Sequence, residues 1–463
     1  LKDNQAGQDK VKNDKIKKSK FKESRRQEAV NEKETLEEGI VMRSVQDERD
    51  IERFAALHSS GTNGVYGRMT KKWCSRWGKT CKNLFHHHPE VSHDEFVIVE
   101  DERTGEVVST TCLLPWQFNY EGVTLDVAML EEVGTLPEYR HRGFIGAQMK
   151  RFHQNVAARG CDFSIIWGIP YFYRQYGYSY ALDMQTADTI PAWQIPDSGK
   201  SEKHPYEIRE AGPDDADVLS ELYQRSRSSI QLYDMRSLDY WKFLLKWMKY
   251  PARMIINTRS KEVAGYFCVL TLEEKEGVRV FESAIFDHDV GMFALRYLKS
   301  EFGSEIQLEW PETGVLVHLG RSLGSTQLPV YQWLIRVPDI VGLIKKIAPV
   351  LESRIEASPF RDLNRDIYIN LYKNALMLTF RNGTLESVEP LDFVDASIGA
   401  EGGDIDIPPD AFIRLVLGYR RIDQLIDAWP DISVKPESRY LMEVLFTKMT
   451  SYLVMPWWYY EPV

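Results

Sequence analysis

No stretch of this sequence approaches the roughly 18 consecutive apolar residues that a membrane span needs, and the first thirty residues are too polar to hold a signal peptide's apolar segment. A cytoplasmic protein is the expectation. Cysteine is scarce: the 5 residues Cys74, Cys81, Cys112, Cys161 and Cys268 are odd in number and lie mostly in apolar, strand-like runs. That pattern argues against a disulfide framework and for free, buried thiols. An overall basic balance is missing too. The net charge is −10, and residues 1–26 carry 10 Lys or Arg against 4 Asp or Glu, a net of +6 that leaves −16 on the remainder. A body this acidic argues against nucleic acid as a main ligand and suits cationic partners such as amines.

What is present is an ordinary globular composition, 43% hydrophobic and 27% charged over 463 residues, enough for about two to four cores. Residues 1–38 hold almost no large apolar side chains and read as a basic, disordered tail. A first domain over 39–190 opens with the strand Ile40 to Ser44. A helix follows from Asp47, with Ile51, Phe54 and Ala55 at helical spacing. Trp73, Cys74, Trp77, Cys81 and the run from Phe85 to His88 form a polar-aromatic segment expected to cover a site. Cys74, Cys81, His86, His87, His88 and His93 invite a zinc reading, but the cysteines are seven apart and adjacent histidines cannot all face one ion, so no metal is expected. Glu95 to Glu100 and Glu106 to Leu114 read as a hairpin, and Val123 to Leu136 as the next strand.

That strand leads into the stretch on which the chain turns. It breaks at Pro137, passes through Arg140, His141, Arg142 and Gly143, and restarts as a helix that runs to Arg159 and closes at Gly160. A strand, a basic glycine turn and a helix N-terminus make an anion site. First-turn N–H groups have no intrahelical partner and point along the positive end of the helix dipole.

The turn Arg140-His-Arg-Gly143, preceded by Val133, Gly134 and Thr135 and followed by Phe144, Ile145 and Gly146, resembles the acetyl-CoA pyrophosphate loop of the GNAT N-acetyltransferases. The strand Phe163 to Gly168 and the turn Pro170-Tyr-Phe-Tyr173-Arg-Gln-Tyr-Gly177 resemble those of the Eis-like (enhanced intracellular survival) branch. One departure is Ile145, which stands where the family has a small residue and leaves Gly146 to allow the close approach.

The resemblance implies an acetyl-CoA-dependent transfer of an acetyl group to a primary amine, which could be an aminoglycoside, a polyamine or a lysine. It places the cofactor against Val133 to Thr135, Arg140 to Gly146, Gly168 and Ile169. It makes Tyr173 the general acid and the chain's C-terminal carboxylate, here on Val463, the proton acceptor, in a homo-oligomer (a hexamer). A free carboxylate is a weak base unless burial raises its pKa or water relays the proton, so Glu131 and Glu132 beside the cofactor compete for that role.

Past the proline-flanked linker from Pro191 to Pro205 the pattern begins again. Ile208-Arg209 before Asp214 and Asp217 echoes Met42-Arg43 before Asp47 and Asp50, and the run to Cys268 echoes the run to Cys112. A second, degenerate GNAT-like domain is expected over 191–337, with the acidic Asp287-His-Asp289 where a basic glycine turn would stand. Residues 338–463 carry an amphipathic helix from Leu343 to Leu351, a hairpin at Asn382-Gly383, a helix started by Pro409 and a very aromatic end. This segment resembles the sterol-carrier-protein-like domain that ends Eis-type chains. The fold class is therefore α/β (α+β), with tandem GNAT folds and a sterol-carrier-like domain. A protein that binds a lipid or another hydrophobic ligand through its last domain, with a vestigial transferase, is the alternative.

Overall fold

The computed structural model describes residues 33–60, 71–184, 186–197, 204–272, 277–309, 311, 313–392 and 403–455, without the side chains of 71–73. Most of the predicted basic tail, residues 1–32, and the terminal residue Val463 lie outside the described residues. The chain divides into two compact units, residues 1–116 with 126–166, and residues 117–125 with 167–463.

In the first unit the chain runs through β1 (Glu34–Glu37), β2 (Ile40–Ser44), α1 (Glu48–Ser59), α2 (Lys71–His87), β3 (Phe96–Asp101), β4 (Glu106–Tyr120), β5 (Val123–Thr135), α3 (Phe144–Arg159) and β6 (Phe163–Ile166). Strands β1 to β4 pair antiparallel in order. β5 follows β4 through Glu121 and Gly122, whose φ angles of 45° and 93° suit a tight hairpin. β6 returns parallel to β5 after the α3 crossover, in the register Val127 to Phe163 through Met129 to Ile165. The edge strand β1 lies inside the stretch read as tail, so the ordered fold begins earlier than expected.

Helix α1 starts where Asp47 caps the Asp50 N–H at 2.9 Å, and it buries Ile51, Phe54, Ala55 and Leu57. Its first turn is tied to the sheet by four charges. Arg43 on β2 reaches Asp50 at 2.5 Å and Glu100 at 2.7 Å, and Arg53 reaches the same two carboxylates at 2.5 and 2.6 Å.

The second unit holds β7 (Ser179–Asp183), β8 (Ala187–Pro191), β9 (Tyr206–Glu210), α4 (Ala216–Ser226), β10 (Leu232–Met235), α5 (Leu238–Lys246), β11 (Ala252–Asn257), β12 (Val263–Thr271), β13 (Gly277–Ile285), α6 (His288–Phe302) and β14 (Glu305–Glu309). It continues with α7 (Val315–Ser322), β15 (Thr326–Gln327), β16 (Gln332–Arg336), α8 (Ile340–Lys346), α9 (Ala348–Glu356), β17 (Arg365–Asn370), β18 (Ala375–Arg381) and β19 (Thr384–Leu391). Its main sheet has the order β15-β8-β14-β13-β12-β11-β9. Within it β9, β11, β12 and β13 run antiparallel, and β14 is parallel to β13 across α6.

This is the order of the first unit's sheet again, with Arg209 pairing to Asp215 at 2.7 Å much as Arg43 pairs to Asp50. The repeat seen in the sequence is thus a repeat of topology. The chain enters this sheet already at Ala187, ahead of the predicted linker.

The last part builds its own five-stranded sheet, β19-β18-β17 followed by β20 (Ile405–Asp406) and, beyond α10 (Pro409–Val416) and α11 (Ile422–Ala428), β21 (Ser433–Val434). The β18–β19 turn at Asn382 and Gly383 has φ of 48° and 77°, as its residue types require. The single helix expected from Leu343 to Leu351 is two, because Pro349 cannot continue α8 and instead sits in the first turn of α9. After α12 (Pro436–Leu445), β22 (Ser451–Tyr452) pairs parallel with β10. All five cysteines are free and buried. Among the described residues no helix is long and apolar enough to cross a membrane.

The four-charge cluster sets an acid limit. Burial alone would raise the Asp50 pKa, but hydrogen bonds from Arg43, the Gln46 N–H and Arg53 outweigh it and hold the carboxyl well below its usual value. Glu100 is lowered by the same two arginines against the opposing effect of burial. A carboxyl depressed in the folded state contributes stability above its unfolded pKa of about 4 and loses it as pH falls below that value. Asp50→Asn is expected to destabilise the protein by roughly 3 kcal/mol at neutral pH, and to flatten the fall in melting temperature between about pH 4 and pH 2. Thermal melts of both proteins across that range check this.

Candidate active site

Strand β6 ends at Ile166, opposite Leu130 in the register, so Glu131 to Thr135 carry β5 past the end of its parallel neighbour. On the other side β5 stays fastened to β4. Ser109 donates to the Gly134 carbonyl at 2.8 Å and meets the Thr135 hydroxyl at 2.8 Å, and the Leu136 N–H bonds the Val108 carbonyl at 3.0 Å. A short turn from Pro137 to Tyr139 follows, then Arg140, His141, Arg142 and Gly143.

Gly143 is the N-cap of α3 with φ of 80°, and nothing lies within 4 Å of the position a side chain would take. Glycine is therefore needed there for its backbone conformation and for the open space in front of the helix. His141 shares the positive φ, at 63°. No side chain caps α3, so the first-turn N–H groups of Phe144, Ile145 and Gly146 face the turn without a capping acceptor. The cationic side chains there are held by neighbours. Arg140 Nε donates to the Thr135 carbonyl at 3.4 Å. Arg142 pairs with Glu37 on β1 and lies 5.0 and 5.1 Å from the Tyr139 and Phe144 ring centres. Arg151, on α3, is buried and 3.7 Å from Glu34.

Gly134 makes a close helix–strand contact. A side chain there would come within 2.7 Å of the Leu57 methyl and 3.3 Å of the His58 ring, so its missing side chain serves the packing of α1 on β5. Val133 and Thr135, on either side, are half-buried on the opposite face.

Glu132 is the group that composition and spacing did not single out from Glu131. It has φ of 54°, an uncommon conformation for a non-glycine residue in a strand, and it is only 4% exposed. The Trp77 indole N–H donates to Glu132 Oε2, as does the Cys81 thiol at 3.2 Å. Burial pushes this carboxyl up to about 7, with the two donors opposing. The His58 Nδ1 atom lies 3.9 Å from Oε2. This is not an ion pair, because burial pushes the imidazole down to about 3 and leaves it neutral. Thr110 joins the two residues, donating to the Glu132 carbonyl at 2.9 Å and lying 3.0 Å from His58 Nε2.

His58 went unremarked in the sequence, although its spacing from Phe54 and Ile51 marks it as lying on α1's buried face. The other candidate metal ligands have different partners. The His93 ring stacks on Phe85 at 3.9 Å, His86 reaches Glu48 at 3.2 Å, and His88 Nδ1 accepts from the Glu90 and Val91 N–H groups.

The remaining predicted residues belong to the second unit. Gly168 and Ile169 follow β6 directly in the chain. The Gly168 carbonyl accepts from the Tyr331 hydroxyl at 3.1 Å, and Ile169 is 42% exposed. Tyr173 lies in the short helical turn Phe172–Tyr176 that Gly177 closes with φ of 83°. It is 5% exposed, with its ring against those of Phe172 and Tyr178. Tyr171, at the start of the same turn, is 74% exposed with φ of 69°.

In α6 of the second unit the N-cap is Asp287, whose carboxylate accepts from the Asp289 and Val290 N–H groups at 2.8 and 3.2 Å. The donors that an anion would need are already occupied there by a fixed negative charge.

Residues 43–181 match the acetyltransferase (GNAT) domain family. No curated protein matches the chain. Among solved structures, it is similar to a conserved protein of unknown function from Enterococcus faecalis V583, described as a probable N-acyltransferase, at 15% identity and a TM-score of 0.64, over 89% of this chain and 98% of that one. A GCN5-related N-acetyltransferase from Kribbella flavida is similar at 15% identity and a TM-score of 0.62, over 90% and 98%. Eis1 from Mycobacterium abscessus is similar at 14% identity and a TM-score of 0.57, over 89% and 98%. These likenesses are of fold. The domain match, which spans the uncapped α3 and its glycine turn, gives the chain a GNAT acetyltransferase domain over residues 43–181.

Proposed function

We propose that the chain transfers an acetyl group from acetyl-CoA to a primary amine and belongs functionally with the Eis-like enzymes. The observation that supports this most is the α3 N-terminus, with its open glycine turn, its basic residues and a run of β5 that extends past the end of β6 before it. Phe144, Ile145 and Gly146 offer N–H groups to a pyrophosphate. Arg140 and Arg142 add charge, and main-chain groups around Val133 and Thr135 can pair with an extended amide-bearing arm as an added strand would. Gly168 and Ile169, at the end of the next strand, complete the set that the resemblance assigns to the cofactor.

The chemistry needs a proton acceptor and a donor. A primary amine with pKa near 10.4 is neutral in about 1 in 2,500 molecules at pH 7, which costs roughly 4.6 kcal/mol. Its nitrogen attacks the thioester carbonyl, the C–S bond breaks, and the departing thiolate takes a proton. Tyr173 is the proposed donor. For the acceptor, Glu132 is favoured over Glu131 because its backbone departs from strand geometry and two donors fix its carboxylate. The terminal carboxylate of Val463 is what the resemblance would supply instead. The sterol-carrier-like reading of the last domain and assembly into a hexamer rest on the same resemblance.

Acetyl-CoA at 100 times its dissociation constant is expected to stabilise the protein by about 2.7 kcal/mol, with one molecule bound per chain because Asp287 closes the second unit's helix. Arg142→Glu is expected to abolish the shift without unfolding the protein. Calorimetry that shows two sites, or unchanged affinity in the variant, would remove the cofactor assignment. Tyr173→Phe is expected to lower turnover about 100-fold to 10,000-fold with little change in acetyl-CoA affinity. Steady-state kinetics on Phe variants of Tyr171, Tyr173, Tyr176, Tyr178 and Tyr180 decide it, and near-normal turnover of the Tyr173 variant sinks the role.

A further inference from the structure

We propose that His58, Cys81 and Glu132 form a binding site for one divalent metal ion of the zinc type, and that its occupation switches the transferase off. The three residues come from α1, α2 and β5 and stand far apart in sequence. Yet one donor atom of each lies within 4.8 Å of the other two. Cys81 Sγ is 3.2 Å and His58 Nδ1 3.9 Å from the same carboxylate oxygen, Glu132 Oε2. Tetrahedral zinc, with bonds of about 2.0 to 2.3 Å, holds its ligands roughly 3.3 to 3.8 Å apart. Closing separations of up to 4.8 Å to that range takes shifts of about 1 Å.

The surroundings prepare each ligand. Thr110 gives its hydroxyl proton to the Glu132 carbonyl, so toward His58 it accepts. In the tautomer with its hydrogen on Nε2, the lone pair is on Nδ1, the atom 3.9 Å from Glu132 Oε2. A second group that fixes the imidazole tautomer is the usual arrangement at metal-bound histidines. The Trp77 indole N–H anchors the carboxylate in the same way.

The charge balance also favours an ion. All three ligands are buried, and a thiolate and a carboxylate together carry the two negative charges that cancel a divalent cation. The thiol proton, and the carboxyl proton where one is held, leave to solvent as the metal–sulfur and metal–oxygen bonds form. One sulfur, one nitrogen and one oxygen select zinc, cobalt or copper over magnesium and calcium, which prefer all-oxygen shells. Three protein ligands leave a fourth position for water. The inhibitory part of the proposal rests on reading Glu132 as the proton acceptor, since a metal bond takes up its lone pair. The binding part does not.

The test uses the full chain stripped with a chelator. Titration with zinc by calorimetry is expected to show one ion per chain, and cobalt(II) a thiolate-to-cobalt charge-transfer band in the near ultraviolet. Cys81→Ser should remove the band, and both Cys81→Ser and His58→Gln should weaken zinc binding at least about 10-fold. Cys74→Ala should leave the band and the affinity intact. Circular dichroism confirms that each variant is folded, and Glu132→Gln, which keeps side-chain shape, stands in for any that is not. Absence of tight zinc binding, or binding that these variants leave unchanged, overturns the site. Zinc that binds with the expected variant pattern while acetyl transfer continues at full rate upholds the site and removes Glu132 as proton acceptor. Loss of activity in Glu132→Gln without zinc binding does the reverse.

Discussion

Helix α1 lies against strand β5 at a separation that only glycine permits. At Gly134 a single added carbon would collide with Leu57 and press on His58, and much of the first unit's chemistry follows from that contact. It brings the buried end of α1 to the depth of Glu132, where Thr110 can bond the His58 ring and the Glu132 carbonyl together. Burial then sets the state of each group. Histidine without solvent stays neutral, and a carboxylate without solvent holds its proton to higher pH. A close helix–strand packing has in this way become a cluster of three ionisable groups with altered proton affinities.

The two halves of the repeat share a topology and differ at the start of one helix. Both sheets run antiparallel and then close with a parallel pair across a helix. In the first, that helix begins at a left-handed glycine with no capping side chain. In the second it begins at Asp287, which accepts from two of its own first-turn N–H groups. An aspartate N-cap typically stabilises its helix by about 1 kcal/mol. The second unit gains that stabilisation, and its first-turn donors are taken by its own carboxylate.

Where the sequence was legible, the cause was local. Gly143, Gly160 and Asn382-Gly383 act through their own backbone preferences, so the turn, the helix end and the hairpin could be read without neighbours. The alternation of β5 placed it correctly up to the point where Glu132 adopts a left-handed conformation that no residue type there announces. Strand β1 was hidden for the opposite reason. Glu34-Thr-Leu-Glu37 has almost no apolar content, and it is ordered by pairing with β2 and by charges on α3 and its turn, both far away in sequence. His58 and Cys81 could each be assigned to a buried helix face, but nothing in their spacing showed that the two faces meet over one carboxylate.

The partners of the basic turn make any anion binding there an exchange. Glu37 on Arg142 and Glu34 beside Arg151 act as built-in counter-ions, tethered to the edge of the same sheet. Both members of the Arg142–Glu37 pair are about one-third exposed, so the pair is cheap to open, on the order of 1 kcal/mol or less. An incoming anion must nevertheless exceed a carboxylate held at high local concentration, which a lone monovalent ion from the buffer does poorly. A dense, multiply charged group would gain both from the freed guanidinium and from the N–H groups of α3, and so would displace the tether. For a ligand bound at this turn, the acidic edge strand would set a threshold of charge density before any shape is read.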